Sequence, residues 1–388
     1  MLAKCASAGA ASSGGASRLR RFISLTLYPV TSLAEFLSAG RAFGQRLAAL
    51  KAARSDVVWY PYGTLGLLDV LRRLLTPPED TLFARLAGGR VLDLGCADGD
   101  LSFFLESQGY RVQACDRPAT NHNLSSGFRA LHAELHSQVP FTAVDLDHPA
   151  LPPGPTDLTV LLGVLYHLKN PVTILEELAL RSRYLLVSTR VMRRAPDGRD
   201  LTGLPVAWFL DHAQTNQDAT NYWILTQAAF ELMLKRAGWE IVRRLNHGVT
   251  SGSEPIREDR DERLFCLARS RHYLVPGGEL TDGWYGVEPG PFRWTEPEFG
   301  FVLDAAAGST LELDFYLATA DRVTLTAFVN GVELETCVFA AAGPATYRAA
   351  CPASGVLDIR FRVEGASERD GRPYGVVVPL GHSPIRVS

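Results

Sequence analysis

Val91-Leu92-Asp93-Leu94-Gly95-Cys96-Ala97-Asp98-Gly99 is the stretch on which the reading of this chain turns. The short apolar run Arg90 to Leu94 stops at a glycine, and a helical pattern from Leu101 to Gln108 begins just after Gly99. A strand, a tight turn and a helix follow from that order. Gly95 and Gly99 let the backbone turn sharply and let a ligand approach it closely. Strand–turn–helix loops commonly hold phosphate on the helix N-terminus. This one has no G-x-G-x-x-G and no G-K-[ST], and Asp93 and Asp98 stand on either side of the first glycine. Carboxylates repel phosphate and suit a ligand with a cationic end.

Working outward, strand-like and helical segments alternate. Arg111 to Cys115, Phe141 to Val144, Leu158 to Leu162, Tyr184 to Ser188, Glu240 to Arg244 and Arg263 to Ala268 read as further strands, making seven with the first. Leu101 to Gln108, Asn123 to His136, Val172 to Arg181 and Thr226 to Ala237 read as helices, the last with Thr226 as N-cap and Gly238 as its stop. This rhythm predicts a Rossmann-like, doubly wound α/β sheet. Open sheets of this kind bind ligands at the carboxyl ends of their strands. Asp116 and Arg117 follow the second strand, where a carboxylate accepts from both hydroxyls of a ribose. Asp145 and Leu146 follow the third, where an adenine belongs, and Gly163 follows the fourth. Each alone reads equally as a structural turn or a solvated cap. Their recurrence at successive strand ends is what argues for a nucleoside ligand.

Residues 89 to 187 resemble the class I S-adenosylmethionine-dependent methyltransferases. Gly163-Val164-Leu165-Tyr166-His167, followed by Asn170-Pro171, resembles more narrowly the tRNA wobble-uridine methyltransferase and carboxymethyltransferase family. So do Trp59 and Pro61, and Asn221-Tyr222-Trp223 ahead of Leu232-Met233-Leu234; the likeness spans roughly residues 55 to 270. The resemblance implies S-adenosylmethionine as cofactor, held by Gly95 and Asp116, with Tyr166 beside the sulfonium. With them we count Asp93, Cys96, Ala97, Asp98, Gly99, Arg117, Asp145, Leu146, Gly163 and Trp59 as candidate cofactor residues. Two positions depart from the family. Ala97 replaces the middle glycine of the loop, and no lysine stands among the neighbours of Trp59, which are Tyr60, Pro61, Tyr62 and Gly63. The missing lysines favour plain methyl transfer over carboxymethyl transfer.

Transfer from a sulfonium is an in-line displacement that needs alignment, and a base only when the acceptor is a hydroxyl or a protonated amine. His167, at the end of the fourth strand, is the first candidate base, against the alternative that it braces the loop before Asn170-Pro171. His212 is a second candidate, against an exposed loop histidine, and Tyr166 a candidate for facing the methyl group. Trp59, Tyr60 and Tyr62 either close over the ligand or pack the N-terminal helices on the sheet. Arg190 either holds an acidic acceptor or is a solvated arginine.

The chain has 388 residues, 46% of them hydrophobic and 21% charged, with a net charge of −3, enough for two cores and no global pull toward nucleic acid. Six cysteines without C-x-x-C spacing speak against structural zinc and fit reduced thiols in a cytoplasm. No apolar run has the length of a membrane span. Four regions are expected: a disordered tail at 1–21, a helical extension at 22–80, the α/β domain at 81–275 and an all-β sandwich at 276–388, in which Asn330-Gly331 marks a hairpin. The insert from Val191 to Asn221 reads as a lid or binding loop. The expected partner is a small-molecule or glycan-like acceptor. tRNA is the alternative, resting on Arg181, Arg183, Arg190, Arg193 and Arg194 as a basic face. A third reading makes the sandwich a glycan- or partner-binding module through exposed aromatics such as Trp284 and Trp294.

Overall fold

The computed structural model describes residues 32–212, 214–215, 218–273, 278–288, 292–318, 322–369, 371–379 and 384–388. The expected tail, Cys5, Asn216 and the turn Pro276-Gly277 lie outside them.

The chain enters on α1 (Leu33–Ala52), started by a capping box between Ser32 and Glu35, and continues through α2 (Leu67–Leu74) and α3 (Leu82–Arg85). Then come β1 (Arg90–Leu94), α4 (Asp100–Ser107), β2 (Arg111–Asp116), α5 (Ser126–Leu135), β3 (Phe141–Ala143), β4 (Thr156–Leu162), α6 (Pro171–Arg181) and β5 (Ser182–Met192). The insert folds as β6 (Ala207–Phe209) and β7 (Trp223–Thr226). After α7 (Gln227–Arg236), β8 (Trp239–Gly248) and β9 (Glu262–Ser270) close the sheet. Its main order is β3-β2-β1-β4-β5-β9-β8, parallel through β5, with β9 antiparallel to both its neighbours. The seven expected strands are these seven.

Alternation along the strands sends apolar residues to two faces. Val91, Leu158 and Val160 pack with Phe36, Leu71, Phe104 and Leu131, so α1 and α2 share one apolar core with α4, α5 and the sheet. Leu92, Leu94, Leu161 and Leu185 pack on the other face with Ile174, Leu178, Phe230 and Trp239. Thr226 caps α7 by accepting from Ala229 N, as its sequence position predicts.

Two differences from the sequence reading have physical causes. β5 runs four residues past Ser188 because β9 pairs with it from Tyr184 to Val191, and Val191 and Met192 then pair with β7. The charged run 254–262, which reads from its sequence as a solvated connection, buries one of its carboxylates. Glu262 is fully buried, held by Arg193 at 2.7 Å, Ser253 at 2.6 Å and Asn246 at 2.7 Å.

The C-terminal strands are β10 (Gly278–Leu280), β11 (Trp284–Glu288), β12 (Phe292–Thr295), β13 (Glu298–Ala305), β14 (Thr310–Leu317), β15 (Val323–Val329), β16 (Val332–Phe339), β17 (Gly343–Ala350), β18 (Gly355–Glu364), β19 (Ser367–Arg369), β20 (Arg372–Tyr374), β21 (Val377–Pro379) and β22 (Ile385–Val387). They form a five-stranded sheet, β10-β13-β18-β15-β16, a six-stranded one, β11-β12-β21-β14-β17 with β22 on β14, and a two-stranded one, β19-β20. Inward residues of both, among them Phe301, Leu313, Leu325 and Phe361, make a single core. Asn330 and Gly331 both have positive φ, 50° and 80°, the geometry of the tight hairpin they predict. Trp284 packs edge-on against Phe299 and donates to Gly300 O at 2.7 Å, so it serves the sandwich core. Cys337 and Cys351 are free thiols.

Phe36 is fully buried, stacked on Phe83 at 3.9 Å and tilted against Phe104 at 4.9 Å. We expect Phe36→Ala to cost the α/β domain about 3–5 kcal/mol in urea unfolding. A change near zero would mean that α1 is a detachable appendage.

Candidate functional site

The carboxyl ends of β1, β2 and β4 meet at the loop from Gly95 to Gly99. Gly95 and Gly99 have φ of 77° and 83°, and a Cβ on Gly95 would lie 2.5 Å from Val164 of the neighbouring loop. Ala97 also sits in the left-handed region, φ 51°, which explains why the related loops use glycine there. Its N–H donates to Asp116 Oδ2 at 2.8 Å. Gly95 N and Cys96 N both donate to Cys115 O, and Gly99 N donates to Cys96 O. Four loop amides are therefore used inside the protein, and they form no cradle for a phosphate.

The acidic residues divide by role. Asp93 is buried and accepts from Ser102 Oγ at 2.6 Å; burial pushes its carboxyl up to about 6. Asp98, 2% exposed, accepts from Tyr60 N at 2.9 Å, Asn123 Nδ2 at 2.8 Å and Lys51 Nζ at 3.2 Å. Its oxygens are thus turned toward α1, the aromatic turn and the start of α5. Asp116 takes Ala97 N, Arg117 N and Asn121 Nδ2; burial raises its carboxyl against those three donors. Asp145 pairs with Arg117 at 3.1 Å, and Leu146 is buried in the core.

Trp59 is half-buried. Its indole donates to Lys51 O at 3.1 Å, and the Lys51 ammonium lies 5.4 Å from the ring centre. The fold thus supplies a lysine that the local sequence around Trp59 lacks. Lys51 is eight positions upstream on α1 and is committed to Asp98 and to Asp100 at 2.8 Å. Tyr60 is half-buried and Tyr62 exposed. Burial pushes the Tyr60 phenol up to about 12, opposed by the nearby Arg263.

After β4, Gly163 turns with φ 69° beneath the Arg263 guanidinium and the Tyr166 hydroxyl, which are 3.5 Å apart. The Tyr166 and His167 rings lie 4.2 Å apart. His167 Nδ1 is 2.8 Å from Thr220 Oγ1 and 3.9 Å from Asp218 Oδ2. Burial lowers the imidazole pKa, and Asp218 opposes that shift. The insert is fastened here: Tyr222 N donates to Tyr166 O at 2.9 Å and Trp223 Nε1 to Leu165 O at 3.4 Å.

Other candidates lie elsewhere. His212 is 82% exposed and sits 2.6 Å from its neighbour Asp211. Arg190 is neither an acceptor clamp nor a solvated residue. It is 3% exposed and pairs with Asp261 at 2.9 Å and with two backbone carbonyls, Glu254 O and Arg257 O, because β9 covers its strand. Of the five arginines on which the tRNA alternative rests, Arg183 and Arg194 are exposed, and Arg190 and two others have partners inside the protein. Arg181 is buried and donates to Pro152 O and Gly154 O, and Arg193 is bound to buried Glu262. Asn123, Lys51, Arg263 and Thr220 were not legible from local spacing, since each comes to the site through tertiary packing. Among the described residues, no helix is long and apolar enough to cross a membrane, and no cluster of three His, Cys, Asp or Glu is placed to hold a metal.

A family described as a methyltransferase domain matches residues 67–244. No curated protein matches the sequence. Among solved structures, the chain is similar to the N-terminal domain of EvdMO1, solved with SAH and D-fucose: 17% identity, 60% of this chain and 97% of that one, TM-score 0.38. It is similar to an S-adenosylmethionine-dependent methyltransferase from Mesorhizobium loti: 19% identity, 52% and 97% coverage, TM-score 0.36. It is also similar to the magnesium protoporphyrin IX methyltransferase of Synechocystis PCC 6803: 19% identity, 49% and 78% coverage, TM-score 0.34. With the strand order described above, the family match identifies an S-adenosylmethionine-dependent methyltransferase domain of the class I fold, followed by an all-β extension.

Proposed function

We propose that this chain transfers a methyl group from S-adenosylmethionine to a small-molecule or glycan-like acceptor, with His167 as the group that takes the acceptor's proton. The observation that carries the reading is the loop from Gly95 to Gly99. Four of its five amides are consumed internally, and Asp93, Asp116 and Asp145 stand around it. That donor set fits a nucleoside with a cationic amino-acid end and rejects a phosphate. Asp116, at the end of β2, would accept from the ribose hydroxyls. Gly95 and Gly163 would give the ligand its close approach to the backbone, and Tyr166 would lie beside the reacting end. The cofactor supplies an activated methyl group, so the protein's work is alignment, exclusion of water and acceptance of a proton.

Small-molecule transfer is favoured over tRNA because Arg181, Arg190 and Arg193 are spent on internal partners and only Arg183 and Arg194 of that group are exposed for phosphate contacts.

Calorimetry with S-adenosylmethionine tests the cofactor assignment. We expect binding by the full chain, loss of binding in Gly95→Arg, and affinity about tenfold to a hundredfold weaker in Asp116→Ala. Unchanged affinity in both variants would overturn the assignment. The pH profile tests His167. Because burial lowers its pKa, the base form prevails above a pKa below the ordinary value of about 6.5. Once an acceptor is found, kcat/KM should rise with pH through that lowered pKa and stay flat above it. His167→Ala should remove the inflection and about 100-fold or more of the rate.

A further inference from the structure

The Asp218–Thr220–His167 chain contains more information than a candidate base requires. Thr220 Oγ1 lies 2.6 Å from Asp218 Oδ1 and 2.8 Å from His167 Nδ1. A hydroxyl has one hydrogen to give. The carboxylate of Asp218 can only accept, so the Thr220 hydrogen points to Asp218. Thr220 Oγ1 must then accept from His167, which places the ring hydrogen on Nδ1. Asp218 also accepts from Thr220 N at 2.9 Å, which fixes the carboxylate on its own loop. The charged and titratable groups facing the ring are Asp218 from the insert, Arg263 from β9 and Tyr166 from its own turn. The Thr220 backbone also accepts from the ring, which favours a protonated ring nitrogen, and the His167 side chain stays 29% exposed.

We infer that Thr220 and Asp218 are positioning residues that hold neutral His167 as its Nδ1–H tautomer, so that Nε2 is presented to an acceptor hydroxyl. This rests on the methyl-transfer reading above and narrows the acceptor's chemistry. A neutral amine or thiolate attacks with a lone pair already free and needs no such base. A hydroxyl does. In the step, the acceptor's O–H proton passes to Nε2 while its oxygen forms the bond to the methyl carbon. The electron pair of the broken carbon–sulfur bond stays on sulfur. The products are a methyl ether, the neutral thioether and an imidazolium, with the Nδ1–H still bonded to Thr220.

The test is long-range proton–nitrogen NMR on the full chain labelled with nitrogen-15 histidine, with His167→Gln identifying the ring's signals. We expect wild type and Thr220→Ser to show a protonated Nδ1 and an unprotonated Nε2. Thr220→Val should lose that preference and shift toward the Nε2–H form. Asp218→Ala should go further, because the freed Thr220 hydroxyl then donates to Nδ1 and drives the hydrogen to Nε2. A wild-type ring with its hydrogen on Nε2, or signals unmoved in both Thr220→Val and Asp218→Ala, would overturn the inference. If Thr220→Val does not fold, Asp218→Ala decides alone. Calorimetric titration of S-adenosylmethionine into the same wild-type sample judges the methyl-transfer reading separately. Absence of heat there removes that reading, even with the Nδ1–H tautomer in place.

Discussion

The carboxylate of Asp98 is buried to 2% exposure, and three parts of the chain distant in sequence depend on it. Lys51 comes from α1, Tyr60 N from the aromatic turn and Asn123 from the segment before α5. Burying an ionised group is costly unless it is paired and hydrogen-bonded, and here all three donors arrive together. The arrangement tolerates nothing in between: a Cβ on Gly127 would stand 2.0 Å from Asp98 Oδ1. Lys51 also serves Asp100, whose carboxyl is raised by burial and held down by that same ammonium. This buried cluster ties the loop to α1, the aromatic turn and the start of α5.

The architecture was largely legible in the sequence because β1 to β5, β8 and β9 are short apolar runs set between helical patterns, and such periodicity survives folding. Asp116 was legible because it ends a strand next to a glycine turn. The role of Asp98 was not, because its partners lie 47, 38 and 25 positions away and only packing joins them. Arg190 misled for a related reason. A charged residue at a strand end reads as exposed, whereas β9 pairs across it and Asp261 neutralises it. Glu262 is the same lesson with the sign reversed: a charge-rich stretch hides one carboxylate with three protein partners.

The insert reads as a lid or binding loop because nothing in its sequence repeats the strand–helix rhythm. It contributes a short antiparallel pair, β6 and β7, set on the end of β5. Trp223 and Phe209 face each other on that pair at 5.7 Å, and Phe209 remains 73% exposed. The sandwich keeps its own core, with Trp284 inside it, and draws nothing from the cofactor loop.

The bond from Tyr222 N to Tyr166 O, with Trp223 Nε1 on Leu165 O, has a consequence for how such a protein changes over time. It clamps the returning end of the insert to the turn that carries His167. Leu204, Val206 and Phe209 stay exposed on the strand pair that this clamp holds and just ahead of it. Substitutions at those exposed positions can change the insert's surface while the turn keeps its hydrogen bonds. The face of the insert and the geometry of that turn are thereby placed under separate selection.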